Sequence, residues 1–308
     1  IIKKLREAGF EALLAGGCVR DMLLGRASND YDVATEAVPK QIIKLFKRTL
    51  KVGAKFGVVI VLIENQQVEV ATFRSEWGYA DGRHPDHVKF SSAREDALRR
   101  DFTINGMFYD PLNEKVIDYV GGRADLDRQI IRTIGTPSQR FAEDHLRMLR
   151  AVRFSTQLGF EIEAPTWQAI RSLSANIRQI SGERIRIELK GILSDAHRTK
   201  GAELLIDASL ADAIFEGYSE HAGRQGPAIL AELPQRDSFE LYLCGFFAGS
   251  STKFIMKSCK MLKLSREQNR HLKFLAANRG RLLDADMSQA DLRLLGSEPY
   301  FEDLFELQ

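Results

Sequence analysis

The chain has 308 residues, a formal net charge of +2, 44% hydrophobic residues and 28% charged residues. This composition is typical of a globular protein, and the length favours two or more structural units because a single hydrophobic core rarely grows so large. No run of about 18 apolar residues is present, which argues against a membrane-spanning helix and leads us to expect a cytoplasmic protein with no membrane partner.

Short apolar runs alternate with turn signals in the first half of the chain, whose first ten residues predict an amphipathic helix rather than a signal peptide. Strands are predicted for EALLAGG, DYDVAT, FGVVIVLIEN, QQVEVATFR and KVIDYV, and one helix begins at Pro39. From about Pro137 the apolar period changes to three and four residues, which predicts helices. The Gly- and Pro-containing segment 223–236 is the best candidate for a hinge between helical subdomains. The three cysteines form no C-x-x-C pair and are expected to be buried thiols.

Two motifs near the N-terminus indicate phosphate and metal chemistry. In LLAGGCVRDMLLGR, Gly16 and Gly17 separate an apolar strand from a helical run, which places open backbone N–H groups at a helix N-terminus, with Arg20 one turn further on. In the DYD sequence that follows, Asp30 and Asp32 alternate on a predicted strand, so their carboxylates point to the same face. Paired carboxylates are typical ligands of Mg²⁺, which completes its shell with water and substrate phosphates.

Two further motifs add candidates to the same site. Glu69 lies on the predicted strand QQVEVATFR while Val68 and Val70 face the other side, and a third carboxylate would complete a two-metal centre. In REDALRRDFTING, Arg100 and Asp101 offer a guanidinium fork and an acceptor to a triphosphate and a ribose. The alternatives are an exposed strand position for Glu69 and an ordinary helix terminus for the arginines.

The sequence FAEDHLRMLRAVRF predicts the first long helix of the second half. Asp144 and Arg147 are three residues apart and would lie on one helix face, as an acceptor beside a donor fork. Such a pair fits cytosine and adenine and repels uracil and guanine. Arg150 and Arg153 continue the three-residue step, but a drift of about 60° per step turns Arg153 to the far side, where an ion pair or a nucleic-acid phosphate is expected. A salt-bridged surface helix is the alternative.

Basic residues concentrate between positions 253 and 281. Lys257, Lys260 and Lys263 recur there at helical spacing among many other bases, and Glu267 is the single acid. Such a stripe is suited to the phosphates of a nucleic acid. A solvated helix face is the alternative.

In this order, the motifs resemble those of class II tRNA nucleotidyltransferases and bacterial poly(A) polymerases, which belong to the polymerase β-like superfamily. The resemblance spans roughly residues 13–193 and rests on GGCVRD with DYD, RRDFTIN, GGRADLDRQIIRTIG, EDHLRMLRAVRF and SGERIRIELKGIL. It implies an α+β fold with a small mixed-sheet nucleotidyltransferase head (1–136). An all-α neck and body that recognises the base (137–221) and a helical tail that binds tRNA (222–308) would follow.

The resemblance also assigns roles to individual residues. Asp30 and Asp32 would hold catalytic Mg²⁺. Glu69 as the third catalytic carboxylate rests on strand geometry and on the superfamily, and Asp101 is its rival. The GG-x-x-DL motif at 121–126 resembles a hinge-like segment. The positions assigned to the incoming nucleotide are Gly17, Arg20, Arg100, Asp101, Asp144, Arg147, Arg150 and Arg153.

The expected function is template-independent addition of C and A to the tRNA 3′ end from CTP and ATP, with no obligate protein partner. A poly(A) polymerase is the main alternative, although KVGAKFGVVIVLIE lacks the doubled basic residues associated with those enzymes. Addition of C alone or A alone stays open, although WGYADGRHPDHVKF resembles the loop that lets such enzymes switch from C to A. Intact Asp30 and Asp32 oppose a non-catalytic RNA-binding protein, and the long basic helical half opposes a transferase that acts on small molecules.

Overall fold

The structure is a computed structural model that describes residues 1–28, 30–51, 53, 56–64, 66–77 and 87–308. The proposed switching loop WGYADGRHPDHVKF lies largely outside these residues. The chain forms two compact units, Ile1–Asp144 and His145–Gln308. The first is mixed α and β and the second is helical, which confirms the predicted fold class. Among the described residues, no helix is long and apolar enough to cross a membrane.

The first unit is built on a mixed β-sheet. Its strands are β1 (Ala12–Ala15), β2 (Asp32–Thr35), β3 (Thr49–Leu50), β4 (Val58–Ile63), β5 (Gln66–Thr72), β6 (Arg74–Trp77), β7 (His87–Phe90), β8 (Phe108–Asp110), β9 (Lys115–Ile117) and β10 (Ile130–Ile131). Seven of them form one sheet in the order β3-β4-β5-β2-β1-β8-β9, and β6 pairs with β7 separately. Neighbouring strands run antiparallel except β2 and β5, which run parallel.

Helices pack on both faces of this sheet. They are α1 (Ile2–Glu7), α2 (Gly17–Leu23), α3 (Pro39–Leu45), α4 (Ala93–Arg99), α5 (Gly122–Asp127) and α6 (Pro137–Glu143). On one face, Leu5 of α1 and Ile42 of α3 pack in the same core as Val33. On the other face, Ala97 of α4 packs in the same core as Ala34. Consecutive residues of β2 therefore enter different cores, as the pleat of a strand requires.

The second unit is a packed set of helices. They are α7 (Leu146–Leu158), α8 (Ala164–Leu173), α9 (Gly182–Leu193), α10 (Arg198–Asp207), α11 (Leu210–Ile214), α12 (Tyr218–His221), α13 (Gln225–Glu232), α14 (Phe239–Phe246), α15 (Thr252–Cys259), α16 (Arg266–Asn278), α17 (Gln289–Gly296) and α18 (Phe301–Glu306), with a short strand β11 (Glu161–Ile162). Helix α10 approaches α9 closely at Gly201, where a Cβ atom would lie 2.5 Å from Cγ2 of Ile192. Cys18, Cys244 and Cys259 are buried thiols, as predicted.

The hinge expected at 223–236 is wrong, because this segment contains α13. Pro227 falls in the first turn of that helix, where proline is tolerated. Leu230 is fully buried. At the end of α13, the Arg198 guanidinium donates to the carbonyl of Leu230 at 3.0 Å and to Oε1 of Gln235 at 2.8 Å. Because these bonds satisfy a carbonyl that the helix leaves open, the segment is fixed at this end.

Candidate active site

Three carboxylates of the first unit line one cavity. Parallel pairing of β2 with β5 places Asp32 opposite Glu69. Val70 is buried in the core behind the sheet and Val68 packs against that core, so Glu69 faces the other side, as predicted, and is exposed. Asp30 precedes β2, so the expected alternation of both aspartates on one strand is wrong. All three acids nevertheless line a cavity of about 390 Å³.

Negative charge is concentrated in this cavity. Burial raises the pKa of Asp32 most, and the nearby Glu69 carboxylate raises it further. The Arg100 guanidinium lowers that pKa, and the Asp30 carboxylate raises it again. Oxygen donors that repel one another in this way fit a divalent cation. In the part of the chain that the structure describes, no three His, Cys, Asp or Glu side chains are already arranged as the ligands of a metal.

The predicted anion site lies where β1 joins α2. The strand ends at Ala15 and the helix begins at Gly17, which confirms the strand-to-helix junction. Gly16 between them has a φ of 76°, a conformation that other residues rarely adopt. A Cβ atom at Gly16 would lie 2.9 Å from Nη1 of Arg100. The backbone conformation therefore favours glycine at this position, and the Arg100 guanidinium lies directly beside it.

Asn105 links the residues that were expected to bind the triphosphate and the ribose. Its Oδ1 accepts from Nη1 of Arg20 at 2.9 Å, and its Nδ2 donates to Oδ1 of Asp101 at 3.4 Å. Its backbone carbonyl accepts from Nη1 of Arg100 at 3.3 Å. Asp101 is not among the described residues that line the carboxylate cavity. Arg20 and Asn105 are 85 residues apart, so only the fold could reveal this link.

Asp96 holds both arginines of the RRD motif, although the sequence analysis did not single it out. Nη2 of Arg99 and Nη2 of Arg100 lie 2.7 and 3.0 Å from its carboxylate, and the Asp96 side chain is only 2% exposed. Burial acts to raise the pKa of Asp96, but the two guanidinium groups outweigh it and hold that pKa below its usual range. The sequence did contain a signal for these ion pairs. Asp96 lies three residues before Arg99 and four before Arg100, the spacings at which side chains meet on a helix.

The GG-x-x-DL motif supports the turn that carries Asn105. This turn, Thr103–Asn105, is one turn of 3₁₀ helix. A Cβ atom at Gly122 would lie 2.2 Å from the carbonyl oxygen of Thr103. The buried Asp125 carboxylate accepts from Oγ1 of Thr103 at 2.7 Å and from Nε of Arg132 at 2.9 Å. The structure therefore shows a packed support at 121–126, where the resemblance implied a hinge-like segment.

The expected base-reading pair does not lie on one continuous helix. Helix α6 ends at Glu143, Asp144 is extended with φ −152° and ψ 104°, and α7 begins at Leu146. The prediction of a single helix through FAEDHLRMLRAVRF is therefore wrong. Aspartate is disfavoured inside helices because its side chain competes for nearby backbone groups. Arg147 lies in the first turn of α7 and is only 9% exposed.

The two later arginines of α7 pack within the second unit. Nε of Arg153 lies 2.6 Å from Oε2 of Glu188 on α9, and its Nη1 donates to Oε1 of Gln157 at 3.1 Å. An ion pair was one of the two contacts expected for this position. The Arg150 guanidinium lies over the ring of Phe154, 5.2 Å from its centroid. Arg153 is thus held by a partner of its own unit, while Arg150 is half-buried.

The basic segment of the second unit is mostly exposed. Lys257 lies on α15, Lys260 and Lys263 lie at the turn that follows it, and all three are exposed. Arg279 belongs to the same stretch of sequence but donates to the carbonyl of Ser250 at 2.6 Å. The lysines therefore present a basic surface, whereas Arg279 stabilises the chain.

Comparison with known proteins gives two family matches. Residues 12–132 match the family described as "Poly A polymerase head domain", and residues 159–221 match "Probable RNA and SrmB- binding site of polymerase A". The CCA-adding enzyme of Bacillus pumilus (strain SAFR-032) is 45% identical over 211 residues, which are 68% of this chain and 52% of that protein. The chain spans about half the length of the curated relatives that it matches.

Solved structures are similar to this chain over almost its whole length. The crystal structure of the Bacillus stearothermophilus CCA-adding enzyme in complex with CTP is similar with a TM-score of 0.81 and 30% identity, over 99% of this chain and 75% of that chain. The chain belongs to the family of class II CCA-adding enzymes and poly(A) polymerases. A tRNA nucleotidyltransferase of known structure, complexed with a primer tRNA and an incoming ATP analog, gives a TM-score of 0.72 and 26% identity over 99% of this chain and 93% of that chain. The predicted family is confirmed, and with it a nucleotidyltransferase head followed by helices.

The buried Asp96 pairs lead to a prediction about stability. Replacing Asp96 by Asn should lower the free energy of unfolding at neutral pH by about 3 kcal/mol, because two part-buried guanidinium groups lose their counter-charge. The folded-state pKa of Asp96 is depressed, so its contribution is present above the unfolded value of about 3.9 and is lost as the pH falls through the folded value. Urea unfolding of both proteins across this range measures the difference.

The control for this measurement is Asp127→Asn, which removes an exposed carboxylate from the same unit. Its effect at neutral pH should be small, since surface charges contribute little. An Asp96→Asn variant as stable as the parent at pH 7 would contradict the assignment.

Proposed function

We propose that this chain adds C and A, without a nucleic-acid template, to the 3′ end of tRNA, using CTP and ATP. The observation that carries the proposal is the cavity that Asp30, Asp32 and Glu69 share, close enough to Arg100 for its charge to lower the pKa of Asp32. Supporting it, the most similar relatives named above are CCA-adding enzymes, and one of them was solved with CTP. A cytoplasmic location and the absence of an obligate protein partner belong to the same proposal.

Mg²⁺ fits this cavity because its acidic lining residues offer carboxylate oxygens, and the Glu69 and Asp30 carboxylates act to raise the pKa of Asp32. Asp30 and Asp32 would hold the metal, and Glu69 is the third catalytic carboxylate. Bound there, Mg²⁺ would make the primer 3′-hydroxyl a better nucleophile and offset negative charge on the reacting phosphate. Asp101 is the weaker candidate for the third carboxylate, since its Oδ1 accepts from the backbone N–H of Phe102 at 2.9 Å and from Asn105.

The remaining residues of the head bind and orient the nucleotide. The backbone N–H of Gly17 and the guanidinium groups of Arg20 and Arg100 bind the triphosphate, because they combine a helix N-terminus with planar donor forks. Asp101 accepts from the ribose. These donors are held in place before substrate arrives, so little reorganisation accompanies the reaction.

The base is read by Asp144 and Arg147. The carboxylate accepts from the exocyclic amine of cytosine or adenine, and the guanidinium donates to the neighbouring ring nitrogen or carbonyl. Arg150 is a further nucleotide-binding candidate. Arg153 is assigned to the support of the site, because it already pairs with Glu188.

Each predicted domain has one role in this proposal. Residues 1–136 carry catalysis, residues 137–221 recognise the base and residues 222–308 bind tRNA. The exposed lysines after position 256 support the last of these roles. A phosphate-binding surface needs no base contact, so it serves every tRNA equally.

Nucleotide incorporation tests the proposal directly. On tRNA that ends at the discriminator base or at -C, the protein should add nucleotide from CTP alone, and on tRNA that ends in -CC it should add one from ATP alone. Asp30→Ala, Asp32→Ala and Glu69→Ala should each abolish incorporation, because the carboxylates serve the chemical step. Filter binding should show that the three variants still bind tRNA.

Other outcomes identify the alternatives. Repeated addition from ATP to any RNA 3′ end would indicate a poly(A) polymerase, and tRNA binding without incorporation would indicate a non-catalytic RNA-binding protein. Substantial incorporation by the Asp30 or Asp32 variant in the presence of Mg²⁺ would remove the metal-binding role from these residues.

The exposed lysines predict how tRNA binding responds to salt. Changing Lys257, Lys260 and Lys263 together to Gln should weaken tRNA binding and flatten its dependence on salt, because each lost phosphate contact removes about 0.7–0.9 from the log–log slope. Filter binding between low and moderate salt measures both quantities. The matched control changes the exposed Lys40, Lys44 and Lys47 of the head, which removes the same charge. An equal effect of both triple variants would mean that net charge, not this surface, matters.

The base-reading residues predict a change in nucleotide choice. Asp144→Ala should admit UTP and GTP, because the repulsion of their carbonyl oxygens is lost and each bidentate contact contributes about 1–3 kcal/mol of discrimination. Arg147→Ala should behave alike. Arg153→Ala is the control: it leaves Glu188 without its arginine and should lower stability while C and A stay preferred. Incorporation of all four nucleotides by each variant decides between these outcomes, and an unchanged preference in Asp144→Ala would contradict the assignment.

A further inference from the structure

One arginine of α6 contacts two segments that the proposed function uses for different purposes. The Arg140 side chain is 12% exposed, and its Nη1 lies 2.6 Å from Oε2 of Glu143, the last residue of α6. Its Nη2 donates to the carbonyl of Arg100 at 2.7 Å and also to the carbonyl of Arg99. Arg140 and Arg100 are 40 residues apart in sequence. The contact is therefore a feature of the tertiary structure.

The contact has a clear physical basis at the end of α4. A helix leaves its last carbonyl groups without partners inside the helix, and a cation near that end is favourable. The Arg99 and Arg100 side chains turn back to Asp96, whereas their carbonyls face Arg140. The backbone of the RRD motif is thus held by one guanidinium, and its side chains are held by one carboxylate. A planar fork can bridge a carboxylate and carbonyl groups at once, which the single ammonium of lysine does poorly.

The other end of the contact lies next to the base-reading residue. Asp144 directly follows Glu143, and its extended backbone begins where α6 stops. The position of the Asp144 carboxylate therefore depends on where α6 ends. Since Arg140 pairs with Glu143, it fixes that end relative to Arg100 and Asp101.

From this geometry we infer that Arg140 is a positioning residue that couples recognition of the base to binding of the ribose and triphosphate. The inference rests on the proposed function, because it concerns the same nucleotide. Arg140 acts through Glu143 and through the backbone of Arg100. The next residue, Phe141, is fully buried and anchors α6 independently, so loss of Arg140 should shift the site rather than unfold the protein.

The test compares Arg140→Gln and Arg140→Lys with the parent protein and with Arg128→Gln, which removes an exposed arginine from the same unit. Kinetics are measured for CTP on tRNA that lacks its CCA end and for ATP on tRNA that ends in -CC. Arg140→Gln should raise the KM for both nucleotides about tenfold and increase misincorporation of UTP and GTP by a similar factor. Arg140→Lys should recover only part of both effects, and Arg128→Gln should match the parent.

Glu143→Gln provides a second, independent measurement. If Arg140 acts through Glu143, the double variant should misincorporate no more than Arg140→Gln alone, because residues that act as a unit are not additive. If misincorporation by the double variant equals the product of the two single effects, Arg140 does not act through Glu143.

A purely structural role gives a different result. Arg140→Gln would then lower the melting temperature and the fraction of active enzyme while KM and nucleotide choice stay unchanged, and this outcome would overturn the inference. If the parent protein adds no nucleotide, the proposed function fails. Equilibrium dialysis with labelled CTP then tests the inference separately, since Arg140→Gln should still bind CTP about tenfold more weakly than Arg128→Gln.

Discussion

The candidate active site depends on the parallel pairing of β2 with β5, the one parallel pair among the described strands of the large sheet. This pairing places Asp32 opposite Glu69 although the two residues are far apart in sequence. Because side chains alternate along a strand, a shift of register by one residue would turn either carboxylate into the core behind the sheet. Val33 and Val70, buried in that core, oppose such a shift. The hydrophobic pattern of two strands therefore fixes the position of the acidic cavity.

In the first unit, cationic side chains of the motifs are held by anionic or carbonyl partners of the same unit. Arg20 pairs with Asp21, Arg100 pairs with Asp96, and Arg140 contacts the RRD backbone. A guanidinium has several donors, so it can be fixed by some of them and still offer others to a phosphate. Such preorganisation lowers the cost of ordering the site when a nucleotide binds. The GG-x-x-DL motif contributes in the same way, since Asp125 fixes the turn that carries Asn105.

Local sequence patterns failed in two segments of the chain. The apolar period continues through FAEDHLRMLRAVRF, yet α6 stops before Asp144, which is extended. Aspartate favours such a break because its side chain competes for nearby backbone groups, and a single extended residue leaves the apolar pattern on either side unchanged. The hinge at 223–236 was expected from its Gly and Pro content. In the fold, Arg198 and the buried Leu230 hold this segment as a helix. Composition cannot report a partner that lies elsewhere in the chain.

The sequence by itself determined the family, the change from mixed α and β to helices, and most of the strands of the large sheet, because periodicity and ordered motifs are local properties. It also singled out Asp30, Asp32 and Glu69 as acidic candidates. Only the tertiary structure decided that these three line one cavity, that Asn105 joins Arg20 to Asp101, and that Arg153 pairs with Glu188. The physical reason is that pairing, burial and charge neutralisation act between residues distant in sequence, and their partners are set by how strands and helices pack.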